Sequence, residues 1–233
     1  MKRGIEPDVR VAGRTAPTDP PAAAGPQPHL AGAAGLATDN LAPRVRQALE
    51  SFAAEIERLR AALVQAERRV GELQRLADQD ALVPVVNRRA FVRELERVLS
   101  YAKRYKVPCS VIYFDLNHLK AINDRYGHAG GDVAIAHVAR VLAAKLRDSD
   151  MVGRLGGDEF GVVLAHAAGE AALAKAASLA GAVAATPCRY GEETIAVSVA
   201  YGCYAPGADD DADKALDAAD RAMYEQKKRN LKL

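Results

Sequence analysis

From Arg44 onward, apolar residues recur at Val45, Leu49, Phe52, Ile56, Leu59, Leu63, Ala66, Val70, Leu73 and Ala77. The steps alternate between four and three residues, which is the period of a coiled-coil seam. With Leu49, Ile56, Leu63, Val70 and Ala77 at the a positions, Phe52, Leu59, Ala66 and Leu73 fall at d. Branched residues at a with leucine at d favour a parallel two-stranded coil, and Glu55 at g would face Arg60 at e of a second chain. The stripe is narrow and the remaining faces are charged. Residues 44–79 are therefore expected to form a homodimer; the alternative is a helix that packs back onto its own domain.

Beyond Asp80 the pattern becomes that of one globular domain. A helix with an apolar face is predicted over Arg88–Tyr105, then a buried strand in the apolar run Cys109–Phe114. Helical periodicity returns from Asp132 to Leu146. Strands at Met151–Leu155 and Glu159–Leu164 are separated only by Gly156-Gly157-Asp158, which predicts a hairpin. An Ala-rich helix over Gly169–Ala185, a strand over Thr194–Tyr204 and a helix over Leu216–Lys228 complete the series. Strand–helix–strand–strand–helix–strand is the split βαβ order of the ferredoxin-like α+β class, a mostly antiparallel central sheet flanked by helices.

Composition divides the chain into three parts. Residues 1–42 are dominated by Ala, Pro and Gly and carry no aromatic residue. Such a segment buries too little apolar surface to offset its ordering entropy, and it is expected to be disordered. Residues 43–79 form the predicted coil and 80–233 the domain. Lys and Arg number 32 against 30 Asp and Glu, so the chain has neither the basic footprint of a nucleic-acid binder nor a polybasic membrane anchor. Cys109, Cys188 and Cys203 show no C-x-x-C spacing, which argues against a disulfide framework or a cysteine zinc site. No apolar run is long enough to span a bilayer, and the start Met1-Lys2-Arg3-Gly4 has no signal-peptide core. A cytoplasmic protein is expected.

The candidate chemistry lies at two acidic positions. Asp115 ends an apolar run, where a carboxylate is costly unless a cation satisfies it. Asp158 and Glu159 follow two glycines, which allow a sharp turn and close approach of a bulky ligand. If the two strands are neighbours, Asp115 and Asp158 converge on one sheet edge. Two carboxylates with phosphate oxygens are a usual way to hold Mg²⁺. Taken alone, Gly156-Gly157-Asp158 is also an ordinary hairpin turn.

Four motifs in order carry a resemblance. Gly156-Gly157-Asp158-Glu159-Phe160 is the GGDEF signature. Asp80-Ala81-Leu82 through Asn87-Arg88-Arg89 is similar to an opening D-x-L-T-x-L-x-N-R-R. Asp115 to Asp132 resembles D-x-D-x-F-K-x-x-N-D-x-x-G-H-x-x-G-D, and Ala219 to Lys227 resembles A-D-x-A-L-Y-x-A-K. Residues 80–233 thus resemble the diguanylate cyclase family, whose GGDEF domain has a palm-type fold and condenses two GTP into cyclic di-GMP.

The resemblance implies roles residue by residue. Asp115, Asp158, Glu159 and the backbone carbonyl of Leu116 match the metal-binding positions, for Mg²⁺ or alternatively Mn²⁺. Asn123 and Asp132 match the residues that grip guanine; a carboxylate can accept from its N1–H and 2-amino groups, a pattern adenine does not offer. Lys120 and Lys227 match cations on the triphosphate. Leu119 and the Gly156–Gly157 backbone would lie against the nucleotide. Arg147 and Asp150 match an R-x-x-D product-inhibition site, although Arg147-Asp148-Ser149-Asp150 also reads as a polar turn. His118 and His128 are read as structural, since metal activation of the hydroxyl removes the need for a histidine base.

Four departures stand out. Asn117 replaces the family's second Asp, Leu119 its usual Phe, and Val83-Pro84-Val85 its Thr-Gly-Leu. After Lys227 the chain lacks the family's glycine and is two residues shorter. The rival reading from another class is a non-catalytic receptor for GTP or cyclic di-GMP that signals through its coil. A third, a purely structural dimerisation module, leaves the carboxylates at 115, 158 and 159 unexplained.

Overall fold

The computed structural model describes residues 42–230, and the expected disordered tail lies, apart from Ala42, outside them. The chain divides into two units between Arg69 and Val70. Helix α1 (Pro43–Asp78) crosses that boundary and buries none of its residues. In the first unit its seam is open to solvent, with Phe52 at 66%, Leu59 at 57% and Leu63 at 58% exposure. Glu55 and Arg60, expected to meet between chains, have partners within the helix: Arg58 reaches Glu55 at 2.8 Å and Arg60 reaches Glu57 at 3.0 Å.

The second unit contains β1 (Val86–Asn87), α2 (Arg88–Tyr105), β2 (Cys109–Leu116), α3 (Leu119–Lys145), β3 (Met151–Arg154), β4 (Glu159–Ala165), α4 (Glu170–Ala185), β5 (Cys188–Tyr190), β6 (Glu193–Ile195), β7 (Val199–Tyr204) and α5 (Ala212–Asn230). The main sheet has the order β1-β3-β4-β2-β7, while β5 and β6 form a separate ribbon. All pairs in the main sheet are antiparallel except the edge pair β1–β3. The order β3-β4-β2-β7 is the ferredoxin-like arrangement the element order predicts. No helix among the described residues is long and apolar enough to cross a membrane.

Strand β2 explains why both sheet faces are covered. Ile112, Phe114 and Leu116 enter a core with α3 and α4, and Val111 and Tyr113 enter a second with α2 and α5. A strand buried on both faces reads as a continuous apolar run, which is how it appears in the sequence. Asn87 starts α2 by accepting from Ala90 N at 3.0 Å, and its amide donates back to Ala77 O at 2.8 Å. Helix α5 lies directly on β7: a Cβ at Gly202 would stand 2.7 Å from the Ala222 carbonyl carbon and still closer to Met223 N. That contact delivers the end of α5 to the sheet edge.

Three predicted boundaries change. The helix expected from Asp132 begins at Leu119 and is interrupted at Gly127 (φ 72°, ψ 174°). Its first segment exposes half of its residues and presents only Leu119, Ile122 and Tyr126 to the core, too short a stripe to register as a period. The strand expected over 194–204 splits, because Ile195 pairs with Cys188 across the turn at Gly191 (φ 60°) and β7 starts at Val199. Helix α5 starts at Ala212, where Asp211 accepts from Lys214 N at 2.8 Å.

Candidate active site

The β2–β4 register sets Asp115 directly opposite Glu159. Asp158 sits in the turn just before Glu159, and its carbonyl accepts from Leu116 N at 3.0 Å. The turn closes on itself, with Leu155 N donating to Glu159 O at 2.8 Å. A Cβ at Gly156 would collide with the Glu159 carboxylate, so only glycine lets that side chain fold over the turn. Glu159 lies on the same sheet face as the buried Tyr113; burial first, then this carboxylate, raises the Tyr113 pKa well above the usual phenol range.

Asp115 keeps 16% of its side chain exposed, and Lys227 of α5 reaches its Oδ1 at 2.5 Å. One residue earlier, Gln226 accepts from Tyr201 N at 2.8 Å and pins that end of α5 to β7. The donors gathered here are carboxylate and carbonyl oxygens. Among the described residues no three His, Cys, Asp or Glu side chains stand close enough to cage an ion. A pair of carboxylates without a full cage fits a hard cation such as Mg²⁺, which takes one or two protein carboxylates and completes its octahedron with phosphate and water.

Arg154 is a site residue that the sequence reading misses. Its guanidinium donates to Gly157 O at 2.8 Å and to Asp80 at 3.0 Å, both side chains being largely buried. Asp80 also accepts from Leu82 N and Val83 N. Burial alone would raise the Asp80 pKa, but the hydrogen bond from Leu82 and the bonds and charge of Arg154 hold it below the ordinary carboxylate value. The segment Val83-Pro84-Val85 buries Val83 and Val85, so this departure from the family pattern is absorbed as packing. An arginine ending the short strand Met151–Arg154, two residues before the glycines, was the available signal.

The remaining candidates lie on three elements. Lys120 is exposed in the first turn of α3, and Leu119 is half-buried beside it. Asn123 and Asp132 occupy the two segments of α3 on either side of Gly127. Asn117 is tied to β7's approach, its amide donating to Ser198 Oγ at 3.1 Å. His118 (φ 59°) and His128 are both exposed, and the His118 side chain caps nothing. Arg147 and Asp150 stand at the opposite end of the β3–β4 hairpin from the carboxylates. Arg147 is exposed, whereas Asp150 accepts from Arg147 N and Ala165 N, each at 3.2 Å. A cleft of about 700 Å³ between the end of α2 and the β7–α5 loop, near Lys103 and Asp211, shares no residue with the carboxylate edge.

The family described as "Diguanylate cyclase, GGDEF domain" matches residues 77–232. Diguanylate cyclase TpbB of Pseudomonas aeruginosa is 35% identical over 178 residues, covering 75% of this chain and 41% of TpbB. The chain therefore spans well under half the length of that relative. The solved GGDEF domain of TpbB superposes with a TM-score of 0.58 at 35% identity, covering 64% of this chain and 88% of that one. The coiled coil and GGDEF domain of DgcB from Caulobacter crescentus, solved with c-di-GMP, gives a TM-score of 0.69 over 76% of this chain and 95% of that one; its 23% identity speaks for the fold alone. With the family matched across the whole second unit's sheet and helices, the chain belongs to the diguanylate cyclase GGDEF-domain family.

Proposed function

We propose that this chain is a diguanylate cyclase that joins two GTP molecules into cyclic di-GMP and releases two pyrophosphates. The observation that carries this reading is the placement of Asp115 opposite Glu159 at the mouth of the Gly156–Gly157 turn, with Lys227 brought in from a distant helix.

In each half-reaction the 3′-hydroxyl oxygen of one GTP bonds to the α-phosphorus of the other. The bond from that phosphorus to the bridging oxygen breaks, pyrophosphate leaves, and the hydroxyl proton passes to solvent. Repeating the step in the opposite sense closes the ring. Asp115, Asp158, Glu159 and the Leu116 carbonyl would hold Mg²⁺, which when bound lowers the hydroxyl's pKa and offsets phosphate charge. Lys120 and Lys227 bind the triphosphate as point charges. Asn123 and Asp132 bind the guanine edge, and the bare Gly156–Gly157 backbone lets the nucleotide approach. Each domain holds one GTP, so two domains must face each other. The exposed heptad seam of α1 supports a homodimer through residues 44–79 that raises the effective concentration of the half-sites. Arg147 and Asp150 serve as the inhibitory site for product, Arg147 offering a guanidinium to a guanine O6/N7 edge.

The test is incubation of the purified, nucleotide-free protein with GTP and Mg²⁺, followed by chromatographic separation of nucleotides. Cyclic di-GMP with two equivalents of pyrophosphate is the expected result. Unchanged GTP from an intact dimer would overturn the reading and favour a receptor.

A further inference from the structure

Asn123 sits in a short helical segment that ends at the Gly127 break, so its position is not set by a continuous helix. Two contacts set it instead. The first is with Gly131 at the start of the longer segment. A Cβ there would overlap Asn123 Oδ1 and stand 3.0 Å from its Cγ and 3.3 Å from Leu119 Cδ1. The Asn123 carboxamide therefore rests on bare backbone, one residue before Asp132. Gly130 does the same for Tyr126, whose Cβ occupies the space a side chain at 130 would need.

The second contact comes from the β5–β6 ribbon, which stands apart from the main sheet. Its Tyr190 meets Tyr126 edge-to-face, with ring centroids 6.0 Å apart and planes at 75°. Ile195 of the same ribbon is buried with its Cδ1 3.9 Å from where a Cβ at Gly130 would stand, and Cys188 Sγ approaches Val133 O at 3.9 Å. Arg125 and Glu193 also bridge segment and ribbon at 3.5 Å, but both are so exposed that the pair contributes little. The aromatic contact and the glycine pair carry the load, with Tyr126 wedged between them.

We propose that Gly131 and Tyr190 are positioning residues for substrate. Gly131 makes room for the Asn123 carboxamide beside Asp132, and Tyr190, through Tyr126, clamps the segment that carries it. This rests on the assignment of Asn123 and Asp132 to the guanine base. Neither residue touches the reacting atoms, so their loss weakens GTP binding and leaves the chemical step alone.

The experiment compares the full chain with Gly131→Ala, Tyr190→Leu and Tyr190→Phe. Affinity for the α,β-methylene analogue of GTP is measured by calorimetry, KM and kcat by turnover, and folding by thermal unfolding. Gly131→Ala and Tyr190→Leu are expected to weaken analogue binding and raise KM by about tenfold, the equivalent of one good hydrogen bond, with kcat changed by less than about twofold. Tyr190→Phe keeps the ring edge and is expected to restore wild-type values. If Gly131→Ala does not fold, the Tyr190 pair decides alone. Wild-type affinity and KM in folded Tyr190→Leu, or a fall in kcat at unchanged KM, overturns the positioning role. Wild-type protein that does not bind the analogue overturns the guanine assignment itself, and the positioning role with it.

Discussion

Lys227 Nζ lies 2.5 Å from Asp115 Oδ1, joining residues 112 apart in the chain at the edge where Glu159 faces β2. The contact supplies the cation that a carboxylate at the end of a buried strand requires. It exists because α5 lies flat on Gly202 and is pinned at Gln226. Lys227→Met is expected to lower stability by about 1 kcal/mol, since the pair is only partly buried. Cyclase activity falls at least about 100-fold if this ammonium serves the triphosphate. Urea unfolding and initial rates read the two effects separately, and an unchanged rate would remove Lys227 from the site.

Asp158→Ala separates chemistry from fold. The hydrogen bond that ties the turn to β2 runs from Leu116 N to the Asp158 carbonyl, which alanine retains. The variant is expected to fold and dimerise as wild type while turnover becomes undetectable. Circular dichroism, sedimentation and a cyclic di-GMP assay check this, and wild-type activity would refute the metal-ligand assignment.

Arg154→Ala removes both the donor to Gly157 O and the partner of Asp80. A largely buried carboxylate then loses its counter-charge, and the expected cost is about 2 kcal/mol in denaturant unfolding. Arg154→Lys is expected to recover little, because a single ammonium cannot span both acceptors. The Asp80 pKa is lowered in the fold from 3.8, so its contribution is present above that pH and is lost as pH falls below it.

His137 is fully buried in α3 and gives an acid dependence in a higher range. Its Nε2–H donates to Val183 O at 3.3 Å, and Nδ1 faces Arg140 at 3.5 Å. Burial, with the Arg140 charge adding to it, lowers its pKa from 6.5. Below 6.5 the unfolded chain takes up a proton that the fold refuses, so stability falls as pH drops through that value and levels off once the folded histidine also titrates. His137→Gln, which keeps a donor toward Val183, is expected to flatten the slope of unfolding free energy just below pH 6.5. An equal slope in both proteins would exclude His137 as its source.

Arg147→Ala is the clean probe of product inhibition. Asp150 holds the backbone of Arg147 and Ala165, so changing it disturbs the turn as well as any ligand contact. The Arg147 side chain is exposed and free of that task. Arg147→Ala is expected to raise the inhibition constant for cyclic di-GMP by about tenfold or more while the initial rate changes little. Equal inhibition constants would leave the tetrad as a turn alone.

Local pattern accounts for much of the fold. The heptads of α1, the apolar run of β2, the hairpin at Gly156–Gly157 and the order of elements all follow from periods and turn residues within a few positions of each other. The same reading misses the helical segment 119–126, whose inward stripe is three residues long, and the two-residue strand β1, which pairs only because β3 lies beside it. It also merges β6 into β7, since nothing in Thr194–Tyr204 signals that Ile195 belongs to a different sheet.

For the site, the sequence by itself determined which chemistry is present: carboxylates at 115, 158 and 159, glycines that let backbone and ligand approach, and an apolar seam at heptad spacing. Those properties belong to single residues and their near neighbours. Only the tertiary structure decided that Lys227 meets Asp115, that Arg154 joins Asp80 to the turn, and that Tyr190 supports the segment bearing Asn123. Each of these depends on the register of the sheet and the seating of α5 or the β5–β6 ribbon on glycine and core. Burial summed over the whole domain sets those placements, and no local pattern encodes them.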